Sequence, residues 1–379
     1  MDRSLKEKCI MIIAGETSGD IHGAKVVSAM RKRNNGLFFF GIGGRALGEA
    51  GVKLLMDASE IAVVGITEVF SKIPNILKSL RVAKKILKTQ HPDLLILIDF
   101  PDFNLHLASC AKKLRIPVLY YVSPQIWAWR PGRIKRIRKL VDHLAVILPF
   151  EEDFYRGHTI PVTFVGHPLL DTLTSSQNIT LSERTKNNPV IGFLPGSREG
   201  EIARHLPIMI HAAQNLHKKI DNVKFLMSVA PEVKRRYVEG IIKNHKTSFA
   251  FELVADGSEK VLDRSTLVVA VSGTVTLEAA ISGTPMVIIY KVSPISYWVG
   301  RALIQVKHIG LVNLIAGRKI VPELLQKAAS PSRISDTVFE MLRDPSGLER
   351  IRLELLNVRG LLGGPGASER VADIALGMM

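Results

Sequence analysis

The stretch VVAVSGTVTLEAAISGTPMVIIY, Val268–Tyr290, carries the reading of the fold. Val268–Val271 is apolar at every position, Ser272-Gly273-Thr274 is a turn of small residues, and an amphipathic run holding Glu278 follows. Gly283 ends that run before a second wholly apolar stretch, Met286–Ile289. Runs apolar on both faces, joined by a helix, predict adjacent parallel strands covered on each side. Gly273 and Thr274 then stand at a helix start, where unpaired backbone N–H groups and a hydroxyl can receive phosphate. Glu278 offers two oxygens to the hydroxyls of a ribose. The same glutamate would also suit a helix N-terminus for electrostatic reasons alone.

Outward from this unit the alternation fills the chain. CIMIIAG, LFFFGI, DLLILIDF, IPVLYYVS, HLAVILP and VTFVG read as strands of a first set. PVIGFLPG, VKFLMSVA, FAFELVA and STLVVAVSG precede TPMVIIY in a second, with helical patterns between them. The pattern predicts two Rossmann-like, doubly wound α/β domains. The least apolar stretch between the sets, DTLTSSQNITLSERTKNNP, is rich in Ser, Thr and Asn and reads as a linker. The expected division is 1–170, a linker 171–189, 190–360 and a C-terminal helix 361–379, with only helices beyond Pro331. Two such domains facing one another would place a cleft at the carboxyl ends of both sheets, where ligands of this architecture bind.

A chain of 379 residues exceeds what one core usually holds, in keeping with two domains. Lys and Arg number 51 against 35 Asp and Glu, a net charge of +16 that favours an anionic partner. Cys9 and Cys110 lack any metal-ligand or C-x-x-C spacing and read as reduced core residues of a cytoplasmic protein. The apolar run near the start is too short for a secretory signal and reads as a strand. No apolar run approaches the ~20 residues needed to span a bilayer, so any membrane contact is peripheral. No D-x-D pair is present to hold a metal against a diphosphate.

The loops after each strand hold the candidate chemistry. In LPGSR, Arg198 brings a planar fork of donors to a helix start, beside Gly196 and Ser197, as a diphosphate clamp would; a solvated surface arginine is the alternative. DLLILIDFPDFN ends a buried strand in Asp99, with Pro101 stiffening the turn. Partial burial there raises proton affinity and suits a general base, while Asp102 can cap the helix that follows. AGETSGD, with Gly15, Glu16 and Ser18, lets the backbone approach a ligand closely, or forms a tight turn capped by Ser18 or Asp20. Gly41–Ala46 fits G-x-G-x-x-A but follows the second apparent strand rather than the first, so it reads as a turn.

SPQIWAWR follows a strand end, so Gln125, Trp127 and Trp129 would floor or wall the cleft, with a basic run behind them. In Ile61–Lys88, Val69, Phe70, Ile73, Ile76 and Leu77 can share one apolar face among basic residues. That pattern suits an anionic membrane surface or acyl chains, or else an ordinary helix on the core. Nucleic acid fits less well, because the aromatics cluster at one loop instead of interleaving with cations along a groove.

The segments AGETSGD, DFPDFN, YYVSPQIWAWR, LPFE, FVGHPL, LPGSR, SGTVTLEAA, NLIAGR and VPELLQ occur in the order found in the lipid-A-disaccharide synthases, and the chain resembles that family to about Gln326. The resemblance implies an inverting, metal-independent glycosyltransferase of the two-Rossmann GT-B type, without cofactor, peripheral on the inner membrane of a Gram-negative bacterium. It implies transfer of 2,3-diacylglucosamine from its UDP derivative to 2,3-diacylglucosamine 1-phosphate, giving the β(1→6) disaccharide and UDP. Asp99 and Arg198 take the catalytic positions, Gly196–Arg198, Ser272–Thr274, Glu278 and Asn313 the UDP site, and a homodimer is a further possibility. Gly15, Glu16, Ser18, Gln125 and Trp127, by their places in loops after strands, are expected to face the acceptor or line the cleft. Phe100 stands where a smaller residue is also familiar. Other readings are a GT-B UDP-N-acetylglucosamine transferase or epimerase, a nicotinamide oxidoreductase resting on Gly41–Ala46, and a nucleic-acid-binding protein resting on charge.

Overall fold

A computed structural model describes residues 8–58, 66–129, 131–172, 188–231, 233–255, 257–293 and 306–379, with the side chains of 66–73, 129 and 131 outside the description. The chain forms two compact units. The first comprises Met1–Asp171 with Leu362–Met379, the second Thr172–Leu361.

The first unit holds β1 (Cys9–Ala14), β2 (Phe38–Gly43), β3 (Lys53–Asp57), β4 (Leu94–Ile98), β5 (Val118–Tyr121), β6 (His143–Val146) and β7 (Val162–Phe164). They pair in the order β3-β2-β1-β4-β5-β6-β7, all parallel. β1 and β4 are buried along almost their whole length, as covered parallel strands must be. The order reverses between β1 and β4, which places their carboxyl ends, Gly15–Glu16 and Asp99, at the switch point where open α/β sheets bind ligands.

The second unit holds β8 (Val190–Leu194), β9 (Lys224–Ser228), β10 (Phe251–Val254), β11 (Leu267–Val271), β12 (Met286–Tyr290) and β13 (Glu323–Leu325), in the order β10-β9-β8-β11-β12-β13. Its switch point lies between β8 and β11, whose carboxyl ends carry Gly196–Arg198 and Ser272–Thr274. Two edge strands, β3 and β13, are absent from the sequence reading.

After Pro331 come the helices Pro331–Arg343, Pro345–Leu361 and Ala367–Gly377. The last belongs to the first unit. Val371, Ala372 and Ala375 are buried in one cluster with Val26, Val27 and Met30 of the helix Thr17–Arg33, and Arg33 pairs with Glu369 and, at 2.7 Å, with Asp373.

The G-x-G-x-x-A turn has a structural occupant. Asp20 Oδ1 accepts N–H bonds from Gly44 at 2.6 Å and Leu47 at 3.2 Å, and Oδ2 accepts from Ala46 at 2.9 Å. A carboxylate of the chain itself thus fills the helix start where a dinucleotide would place its pyrophosphate. A Cβ on Gly44 would come within 2.8 Å of Asp20 Oδ2. Asp20 therefore caps the helix Arg45–Glu49, not its own; the cap residue of Thr17–Arg33 is Glu16.

Candidate active site

The second unit contains a pocket of about 390 Å³ at its switch point. Gly196, Ser197, Arg198, Ser272, Gly273, Thr274 and Glu278 all line it. Local geometry explains several of them. Gly196 has φ +115°, and a Cβ there would lie 2.7 Å from Glu201 Oε2, so the turn into the helix Glu199–His217 requires glycine. Arg198 is the cap residue of that helix, its carbonyl accepting the N–H of Glu201 and of Ile202, each at 3.0 Å. Ser272 Oγ donates to Ile309 O at 3.3 Å, and Thr276 Oγ1 to Gly273 O at 2.8 Å. Ser258 Oγ donates to Glu278, whose carboxyl is pushed up by burial against that opposing bond. A Cβ on Gly273 would meet nothing within 4 Å and its φ is ordinary, so protein packing leaves the backbone there open to a ligand.

Ser228, Ala230, Pro231, Gly257, Ser258 and Glu201 also line the pocket and were missed. Their signal was positional: they end or follow β9, follow β10, or begin the helix after β8, and Gly257 has φ +106°. Asn313 does not line the pocket. Its fully buried amide donates to Val321 O at 2.9 Å and Glu323 Oε1 at 2.8 Å, and accepts from the N–H of Ile320 at 2.8 Å and Val321 at 3.0 Å. Those four bonds saturate it.

In the first unit Asp99 directly follows β4 with φ +47°, and Phe100 beside it repeats that value. The Asp99 carbonyl accepts from Asn104 Nδ2 at 2.6 Å and Tyr120 OH at 2.5 Å, and its N–H donates to Tyr121 O at 3.2 Å. Burial, with the Glu16 carboxylate nearby, raises the Asp99 carboxyl from 3.8 to about 6. Gly15 is buried; a Cβ on it would come within 2.4 Å of the Phe100 ring. Ser18 is exposed and Glu16 half-buried. Asp102 pairs with Arg133. Gln125 is exposed, whereas Trp127 is half-buried with its indole N–H committed to Glu151 at 3.0 Å.

The helix Ile66–Gln90 runs through Pro74. Leu77 is 46 % exposed, but Ile76 packs partly onto the core. The side chains of Val69, Phe70, Ile73 and Trp129 lie outside the described residues. Among the described residues no helix is long and apolar enough to cross a membrane, and no three His, Cys, Asp or Glu side chains group to hold a metal ion.

Two parallel doubly wound units with helices after them define a GT-B architecture. A UDP-GlcNAc 2-epimerase from Neisseria meningitidis superposes with a TM-score of 0.64 at 15% identity, over 98% of this chain and 100% of that one. MurG from Acinetobacter baumannii gives 0.62 at 14%, over 98% and 100%. These identities carry the fold alone. Residues 10–356 match the Lipid-A-disaccharide synthetase family. The lipid-A-disaccharide synthase of Syntrophus aciditrophicus (strain SB) is 48% identical over 376 residues, 98% of each chain. That of Geobacter metallireducens is 44% identical over 378 residues, 98% of this chain and 97% of its own. The chain belongs to the lipid-A-disaccharide synthetase family.

Proposed function

We propose that this chain transfers 2,3-diacylglucosamine from its UDP derivative to 2,3-diacylglucosamine 1-phosphate. The products are the β(1→6)-linked lipid A disaccharide and UDP. The observation that carries the reading is the pocket of the second unit, which gathers Arg198, two helix starts and Glu278 in a chain of this family. The diphosphate takes Arg198 and the backbone donors near Ser197 and Gly273, and Glu278 accepts from the ribose hydroxyls. Asn313 supports the pocket indirectly: Glu323, which it bonds, also accepts from Ile309 and Gly310 N–H at 3.1 Å each, and Ile309 O receives Ser272 Oγ.

The first unit serves the acceptor. Asp99 removes the proton of the 6-hydroxyl as its oxygen attacks the anomeric carbon. The bond to UDP breaks on the opposite face, inverting the configuration, and Arg198 with the helix donors receives the developing charge. A carboxyl at about 6 is ionised at neutral pH and still basic enough to assist.

Acylated substrates and the +16 charge support docking at the anionic inner-membrane surface from the cytoplasm, through Leu77 and the basic residues of its helix, Lys78, Arg81, Lys85 and Lys88, which are exposed. Leu353 and Leu361, exposed on the helix Pro345–Leu361, offer apolar surface for a homodimer, which analytical ultracentrifugation reads directly. The deciding experiment supplies purified protein with UDP-diacylglucosamine and the 1-phosphate acceptor in mixed micelles. Disaccharide with stoichiometric UDP supports the reading; UDP release only with unacylated acceptors would sink it.

A further inference from the structure

The loop after β5, which runs into the short helix Ile126–Trp129, is gripped from one side by one helix, Pro149–Arg156. Ser123 Oγ and Trp127 Nε1 both donate to Glu151 Oε1, at 2.8 and 3.0 Å, while Leu148 N–H donates to Oε2 at 3.1 Å. Tyr155, four residues further along the same helix face, donates its hydroxyl to Pro124 O at 2.9 Å. Phe150 meets the Trp127 ring edge-on, centroids 4.8 Å apart. Three of the five residues from Ser123 to Trp127 are thus tied to that helix, and Gln125 between them stays exposed.

Glu151 is 1 % exposed, and the partners described for it are neutral donors. Burial pushes its carboxyl up, opposed by the bonds from Trp127 and Ser123. A buried carboxylate without a cation costs several kcal/mol, and an apolar side chain would pack the same space without that cost. What Glu151 adds is two donors of one loop held on one oxygen. The loop also begins on a strained backbone: Val122, a β-branched residue, has φ +57°, at a cost of about 1–3 kcal/mol. β5 pairs with β4 in the register Tyr121↔Ile98, so the loop leaves the sheet beside Asp99.

We propose that Glu151 is a positioning residue for acceptor recognition, fixing Ser123 and Trp127 so that Gln125 presents its amide to a polar group of the acceptor sugar beside Asp99. The inference rests on the assignment of the first unit to the acceptor.

The test is steady-state kinetics of the full chain with both substrates in mixed micelles, for wild type, Gln125→Ala, Glu151→Gln and the double variant. Glu151→Gln keeps an oxygen for Ser123 and Trp127 but turns an NH2 toward Leu148 N–H, so the loop shifts. Each single variant raises the acceptor KM about tenfold, the equivalent of one lost hydrogen bond, and moves the donor KM by less than about twofold. The double variant is no worse than Gln125→Ala alone, because Glu151 acts through Gln125. Ser123→Ala, which removes one donor and leaves the carboxylate, gives the same acceptor-specific change where Glu151→Gln does not fold. An unchanged acceptor KM in the folded variants, an equal rise for both substrates, or additive costs in the double variant would each overturn the proposal. Wild-type protein that forms no disaccharide would overturn the reaction itself, and the acceptor role of this loop with it.

Discussion

Asp99 and Phe100 both sit at φ +47°, a conformation that costs a non-glycine residue about 1–3 kcal/mol. Three hydrogen bonds to the Asp99 backbone hold it there. The strain and the raised carboxyl predict a residue kept for chemistry at the expense of stability. Activity should fall about tenfold per pH unit below about 6, the apparent pKa of the acid limb of kcat/KM. Because the folded carboxyl binds its proton more tightly than the unfolded one, this group favours the folded state at low pH, and the advantage is lost as pH rises from 3.8 through about 6. Asp99→Asn should therefore be more stable to unfolding than wild type at pH 8, by at most about 3 kcal/mol, and lose that gain near pH 4, while kcat drops by roughly 10²–10⁴. Thermal melts and rates on the same samples check both. Arg198→Ala should cost about 10²–10³ in kcat, and Arg198→Lys should recover little, because lysine lacks the planar fork. Both positions stood out in the sequence because a charged side chain follows a wholly apolar run, Asp99 directly after β4 and Arg198 at the start of the helix after β8. Asn313 was named through resemblance, and no sequence pattern disclosed that its four bonds are internal.

At the scale of the element, the long buried strands were readable because a run covered on both faces is apolar throughout. β3 and β13 were not. β3 is half-exposed along its length, and β13 has three residues behind Pro322, as few as β7 but without the β-branched residues of VTFV that disclosed that strand. Lining residues after β9 and β10 escaped for a related reason, since Ser, Ala, Pro and Gly there carry no charge to attract notice. The Gly41–Ala46 turn shows a motif satisfied from within. Asp20→Ala strands three N–H groups and should destabilise the first unit by roughly 2–4 kcal/mol, with UDP affinity unchanged, as chemical denaturation and calorimetry would record. Appearance of tight UDP or NAD binding at that turn in wild type would contradict the assignment.

For the whole molecule, the proposed assignment of UDP to a pocket lined by second-unit residues has a thermodynamic signature. UDP at a hundred times its Kd should raise the unfolding free energy of that unit by about 2.7 kcal/mol and leave the transition of the first unit in place, as differential scanning calorimetry resolves. Binding to anionic vesicles should weaken steeply between low and moderate salt, and indifference to lipid charge would remove the electrostatic part of membrane docking. Neither the pairing of the last helix with Thr17–Arg33 nor the return of the chain to its first unit was written in any local pattern, because both depend on contacts between distant segments. That return has a consequence for biosynthesis. Residues 362–379 emerge from the ribosome only after the entire second lobe, so the lobe begun first is the one finished last. Until then the cluster around Val26, Val27 and Met30 has no lid, and a polypeptide released early would carry that uncovered surface as a mark for proteolysis.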